Sequence, residues 1–195
     1  MHYLVALGNP GDKYKSTRHN VGFMALDDLI DHHSLASLVD SKNYSGRMTE
    51  GFLSGVEFKI LYPDTYMNNS GSAVAKFVPK NDVGSLIVIH DDIDLSFGEV
   101  RVAVGRGAGG NNGVKSIIEK LGTKDFVRVR IGIAPKSFWT GKTKRPAGGG
   151  PLERFVLKPF YINEKSGLKE VFSKTREAIE IVISEGAEAA MNKCN

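Results

Sequence analysis

The sequence predicts an α/β fold, a three-layer sandwich in which a twisted, largely parallel mixed sheet is flanked by helices. Short runs of β-forming residues alternate along the chain with segments of helical period, the pattern of strands joined by crossover helices. One run, Leu86-Ile87-Val88-Ile89, is apolar without alternation, as a strand buried on both faces is. The chain has 195 residues, 41% of them hydrophobic. That suffices for one well-buried core, so a single domain over residues 1–195 is expected rather than two small ones.

The elements follow in order. Tyr3-Leu4-Val5-Ala6-Leu7 is short and apolar and reads as the first strand. Gly8-Asn9-Pro10-Gly11 breaks it, because Gly permits positive φ and Pro fixes φ without an N–H. Val21, Met24, Ala25, Leu29 and Ile30 then recur as one face of a helix. Residues 44–53 and 56–62 read as two strands joined at Ser54-Gly55, and residues 86–90 as a central buried strand with a polar end. A short strand is expected over residues 100–104. Val114, Ile117, Ile118 and Leu121 have i, i+3, i+4, i+7 spacing, with Asn111 or Asn112 to cap the helix and Gly122 to stop it. Residues 127–134 form another strand. The Gly-, Lys- and Pro-rich stretch 135–151, with Trp139 inside it, reads as a mobile loop or lid. Leu168, Val171, Phe172, Thr175, Ile179, Val182 and Ile183 give the last helix one apolar stripe.

Charge is distributed unevenly. Residues 1–100 carry 8 Lys and Arg against 13 Asp and Glu, residues 101–162 carry 13 against 3, and residues 163–195 carry 5 against 6. The net +4 conceals a basic middle-to-late segment, as expected of a surface facing phosphates; solvated lysines on unrelated faces are the bland alternative. Cys194 is the single cysteine, so no intramolecular disulfide can form and a reducing compartment is the simple reading. No apolar run approaches the roughly 20 residues that span a bilayer, and the first strand starts too close to Met1 to leave room for a leader. A soluble, cytoplasmic protein with no membrane partner is expected.

His19 is the leading candidate for chemistry. It lies in Gly8-Asn9-Pro10-Gly11-Asp12-Lys13-Tyr14-Lys15-Ser16-Thr17-Arg18-His19-Asn20-Val21-Gly22, near the carboxyl end of the first strand, where open α/β sheets build their sites. Four further blocks follow: Tyr66-Met67-Asn68-Asn69-Ser70-Gly71, His90-Asp91-Asp92-Ile93-Asp94-Leu95, Gly107-Ala108-Gly109-Gly110-Asn111-Asn112-Gly113-Val114-Lys115-Ser116, and Arg128-Val129-Arg130-Ile131-Gly132-Ile133. In this order, and spread over almost the whole chain, the blocks resemble the motifs of the bacterial-type peptidyl-tRNA hydrolases.

The resemblance implies hydrolysis of the ester between a peptide and the terminal ribose of tRNA, recycling the tRNA, with no cofactor and no metal. It gives His19 the role of base toward water, which a neutral imidazole near pH 7 suits. Asp91 matches the carboxylate that orients such a base, at the expected end of the central strand. Asn68 and Asn112 would grip the peptide, and Asn9, placed in the catalytic set, would help to reject unblocked aminoacyl-tRNA. An amide both donates and accepts, so it pairs with peptide groups of any sequence; turn formation and helix capping are the simpler readings of Asn9 and Asn112. Met67 offers an adaptable apolar wall. Tyr14 and Tyr66 match positions that contact tRNA or substrate, with stacking on the terminal adenine or ribose. Arg106 and Arg130 are the expected phosphate contacts, and Arg101, Arg128 and Lys115 lie around them in the sequence. His90 reads as a strand-end structural residue, and His2, His32 and His33 as surface or packing residues.

The chain departs from the resemblance in three places. Asn111 stands where a histidine commonly precedes the matched Asn112, Ala103 stands where a basic residue often belongs to a phosphate clamp, and residues 142–150 form a longer stretch than expected. The partner expected is peptidyl-tRNA, held by its acceptor stem and 3′ end, on a monomeric protein. Two other classes stay open: a non-catalytic RNA-binding relative of the same fold, and a metal-dependent phosphoryl-transfer enzyme using Asp91, Asp92 and Asp94.

Overall fold

The computed structural model describes residues 1–136, 143–146 and 148–195. Residues 137–142 and 147, within the segment expected to form a lid, lie outside the described residues. Among the described residues, seven strands form one mixed sheet: β1 (His2–Ala6), β2 (Val39–Ser41), β3 (Gly46–Leu53), β4 (Val56–Pro63), β5 (Leu86–Ser96), β6 (Val100–Val104) and β7 (Val127–Ala134), in the order β2-β3-β4-β1-β5-β7-β6. The four central strands β4, β1, β5 and β7 are parallel, and antiparallel strands complete both sides.

Helices cover both faces, which is why the central strands carry apolar side chains on both sides. The helices are α1 (Val21–His32), α2 (Ser70–Phe77), α3 (Asn112–Leu121), α4 (Gly150–Val156), α5 (Ile162–Lys165), α6 (Leu168–Glu185) and α7 (Ala187–Cys194). Leu4, Ala6, Ile87 and Ile89 join the core under α1 and α6, whereas Tyr3, Val5, Leu7, Leu86 and Val88 join the core under α2 and α3. Successive residues of a strand point to opposite faces, so one apolar run feeds both layers. Each fully buried Leu, Ile or Val among them contributes about 1.5–3 kcal/mol.

Two glycines shape the helices, one by close approach and one at a helix end. A Cβ at Gly22 would lie 2.6 Å from the Ile89 carbonyl oxygen, so the start of α1 rests directly on the backbone of β1 and β5. Gly122 stops α3 in the left-handed conformation, at φ 72°, as a glycine beyond a helix end does.

The structure differs from the sequence-based expectation at β5, which runs on through Asp91, Asp92 and Asp94 to Ser96 instead of ending near His90. Three carboxylates in four residues look like a strand end, but each finds a partner, so the ladder continues past a register shift between Asp92 and Ser96. His90 is therefore buried inside the strand rather than at its end, with Nδ1 hydrogen-bonded to the Asp91 carbonyl at 2.7 Å. Among the described residues, no helix is long and apolar enough to cross a membrane.

Candidate active site

The chain leaves β1 toward β4 on one side and leaves β5 toward β7 on the other, so a crevice opens between the carboxyl ends of β1 and β5. The loop after β1 ends in a tight turn, Arg18–Asn20, which sets His19 over that crevice. The turn is held from both ends. Asn9 and Asn20 exchange two hydrogen bonds at 2.9 Å, joining the start of the loop to its end. Arg18 is fully buried: it pairs with Glu164 and donates to the Pro159 carbonyl, and its guanidinium lies 4.6, 5.1 and 4.6 Å from the rings of Phe155, Phe160 and Tyr161.

His19 Nδ1 lies 2.9 Å from Asp91 Oδ2. The carboxylate only accepts, so Nδ1 carries the proton and the Nε2 lone pair is left for another partner. Burial alone would depress this imidazole, but the charge of Asp91 and the hydrogen bond to it outweigh burial, and the pKa is raised. Asp91 Oδ1 accepts from Asn111 Nδ2 at 2.8 Å. The other two carboxylates are engaged elsewhere, Asp92 with Arg130 at 2.7 Å and Asp94 with Arg145 at 2.6 Å. Among the described residues, no group of three His, Cys, Asp or Glu side chains could hold a metal ion.

A cavity of about 420 Å³ opens at His19 and Asp91. Asn9, Tyr66, Met67, Asn68 and Asn112 line it, so seven of the ten residues expected to form the site meet here. Asn9 Oδ1 accepts from the Met67 backbone N–H at 3.3 Å, so the loop after β1 and the turn Met67–Asn69 are fixed to one another. Tyr14 does not line the cavity but packs edge-on against Tyr66 at 6.4 Å. Leu152, Val156 and Leu157 form an apolar wall from α4 and the residue after it, with Glu153 beside them. Neither that wall nor Ile93 was expected from sequence. The only local signal was the apolar spacing Leu152, Phe155, Val156 within a segment that reads as a loop's exit.

Arg106 and Arg130, the remaining two, line a second cavity of about 400 Å³ together with Arg101, Ala103 and Arg128. Arg101 stands directly opposite Arg130 across β6 and β7. Like charges so placed repel, and the cleft is thereby suited to an anion. Arg128 is almost fully buried, with one guanidinium nitrogen on the Gly107 carbonyl at 2.8 Å and Nε unpartnered among the described residues.

The family model described as peptidyl-tRNA hydrolase matches residues 3–195. The chain belongs to the peptidyl-tRNA hydrolase family. Similar curated proteins, each named peptidyl-tRNA hydrolase, include one from Thermodesulfovibrio yellowstonii, 40% identical over 199 residues and covering 100% of this chain and 99% of that protein. Another, from Mycobacterium avium, is 40% identical over 195 residues and covers 97% and 95%. The crystal structure of peptidyl-tRNA hydrolase from Acinetobacter baumannii superposes with a TM-score of 0.88 at 29% identity, over 100% of this chain and 94% of that one. Within a peptidyl-tRNA hydrolase fold, the departure at Asn111 has a definite structural place: Asn111 caps α3 and holds Asp91. Ala103 leaves the floor of the basic cleft open beside Arg128, its partner across β6 and β7.

Proposed function

We propose that this chain hydrolyses the ester between a peptide, or an N-blocked aminoacyl group, and tRNA, freeing tRNA from prematurely released or stalled translation products. His19 Nε2 takes a proton from water, and the oxygen adds to the ester carbonyl. The tetrahedral intermediate collapses, the bond to the ribose oxygen breaks, and the proton passes from the imidazolium to that oxygen. Asp91 keeps the ring in the required tautomer and stabilises its cation. Asn9, Asn68 and Asn112 hold the peptide and its carbonyl, and the positive end of α3 faces the developing oxyanion. Met67 and the α4 wall receive apolar side chains of varied sequence. Tyr14 and Tyr66 stack at the terminal nucleoside, while Arg106 and Arg130 take backbone phosphates of the acceptor stem.

The observation that carries this reading is the His19–Asp91 pair, opening on a cavity that adjoins an arginine-lined cleft. Residues 1–195 act as one domain and as a monomer, in the cytoplasm, with no cofactor. The test is release of N-acetyl-amino acid from tRNA, with unblocked aminoacyl-tRNA as control, in buffer containing EDTA. Turnover of the blocked substrate alone is expected. Activity that requires Mg²⁺ would overturn the mechanism in favour of the carboxylate-metal alternative, and binding without turnover would favour the RNA-binding one.

A further inference from the structure

We propose that Asn111 is a positioning residue for the base: it locks Asp91 in register with His19 and draws off part of the carboxylate's charge. Asn111 Oδ1 accepts from the backbone N–H groups of Gly113 and Val114 at 3.0 and 3.1 Å. Those groups can only donate, so the orientation of the amide is determined and Nδ2 must face Asp91. Nδ2 then donates to Asp91 Oδ1 at 2.8 Å and to the Asp91 carbonyl at 3.2 Å. Asn111 is itself buried, and its backbone N–H is held by the Ala108 carbonyl at 3.0 Å. Each Asp91 oxygen thus has its own donor, Oδ1 from Asn111 and Oδ2 from His19. The carboxylate cannot turn away from the imidazole without breaking the other bond.

The electrostatic consequence follows from the same geometry. A fixed N–H dipole on Oδ1 stabilises the carboxylate and lessens its hold on a proton at His19. Among the described residues, the charged and titratable groups on the surrounding elements include Asp92, Asp94 and His90 on β5, Arg128 and Arg130 on β7, Lys115, Glu119 and Lys120 on α3, Arg18 beside His19, Tyr66 before the turn Met67–Asn69, and Glu153 and Arg154 on α4. Asp92 is paired with Arg130 and Arg18 with Glu164, while His90 is buried with its Nδ1 bonded to backbone. Among the described residues, Asn111 is the uncharged side chain hydrogen-bonded to the Asp91 carboxylate, and it biases the pair without titrating.

This inference rests on the reading of His19 as base. Asn111→Ser and Asn111→Thr test it, because both residues still cap a helix but reach too short a distance to donate to Asp91. The plateau kcat for N-acetyl-aminoacyl-tRNA should fall about tenfold with KM little changed. The acid limb of kcat/KM should move to higher pH, by roughly half a unit, and the His19 ring titration followed by NMR should move with it. A fall in kcat with both titrations unmoved would reduce Asn111 to a helix cap, and unchanged kcat would overturn the proposal. The ring titration needs no turnover, so a parent protein inactive on the ester would count against the functional reading while the proposal is still decided by NMR.

Discussion

Arg130 Nε donates to Asp92 Oδ2 at 2.7 Å, and the pair stands where the cavity at His19 and the basic cleft meet, since Asp92 lines both. Asp92 is the strand neighbour of Asp91, so the carboxylate that holds Arg130 adjoins the one that holds His19. The division of labour between the two cavities can be measured.

Arg106→Ala and Arg130→Ala should both weaken binding of full-length tRNA. Each should flatten the dependence of log K on log salt by roughly one unit, since each lost phosphate contact releases one fewer counterion. Small N-blocked aminoacyl esters lack the acceptor stem and should be cleaved nearly as before by Arg106→Ala. The two variants should differ in stability. Arg130→Ala strips a partner from the buried Asp92 and should lower Tm, whereas Arg106 makes no ion pair among the described residues. Equal loss on both substrates in Arg106→Ala would remove that arginine from tRNA recognition.

His19→Ala should lower kcat by about 10²–10⁴, the usual worth of a general base, while tRNA binding stays close to that of the parent. An imidazole with the proposed role would act on water in the transition state, so its loss should fall on kcat and not on KM. Near-normal kcat in a folded variant would sink the assignment.

Asp91→Asn isolates the electrostatic partner. The carboxylate raises the His19 pKa against the depressing effect of burial. Without it, burial prevails, and the acid limb of kcat/KM should move to lower pH while the plateau rate falls. The stability effect has a definite sign. A histidine whose folded pKa lies above its unfolded value stabilises the fold fully below the unfolded pKa, about 6.5, and loses that contribution as pH rises through the folded value. The Tm gap between parent and Asp91→Asn should therefore be wider at pH 5.5 than at pH 9, apart from the pH-independent cost of the altered hydrogen bonds. A gap that widened with pH would contradict the raised pKa.

The elements most legible in the sequence are those whose period is set by burial. β1, α1, β6, α3, β7 and α6 lie within a residue or two of their expected places, because each presents apolar residues to a core at period 2 or 3.6. β2 escaped notice because Val39, Asp40 and Ser41 form an outer strand with little buried surface. The extension of β5 was hidden by Asp91, Asp92 and Asp94, whose partners His19, Arg130 and Arg145 lie far away in sequence. The residues around His19 were legible through a motif, but their supports were not. Asn111 reads as a lost histidine until its two ends are seen to serve α3 and Asp91. Glu164 carries no local signal, because its partner Arg18 is 146 residues away.

That last pair yields the final prediction, on the support of the site and not its chemistry. Arg18 has no exposed side-chain surface, and Glu164 retains only 10%. Glu164 Oε2 also accepts from the Tyr161 backbone N–H at 2.7 Å, so the carboxylate is committed to this position. Arg18→Met keeps an apolar stem among Phe155, Phe160 and Tyr161 but leaves the carboxylate buried and uncompensated. Breaking one side of such a pair costs about 3–5 kcal/mol, which for a chain of this size lowers Tm by roughly 10 °C. Arg18→Met with Glu164→Gln removes both charges and should recover much of the loss, since a buried pair gives little net stability over neutral replacements. Activity at a temperature where both variants are folded should fall in each, because Arg18 also ties the turn bearing His19 to the segment after α4. A single variant as stable as the parent would mean that solvent reaches the pair, and full activity in the double variant would show that the turn holds His19 without it.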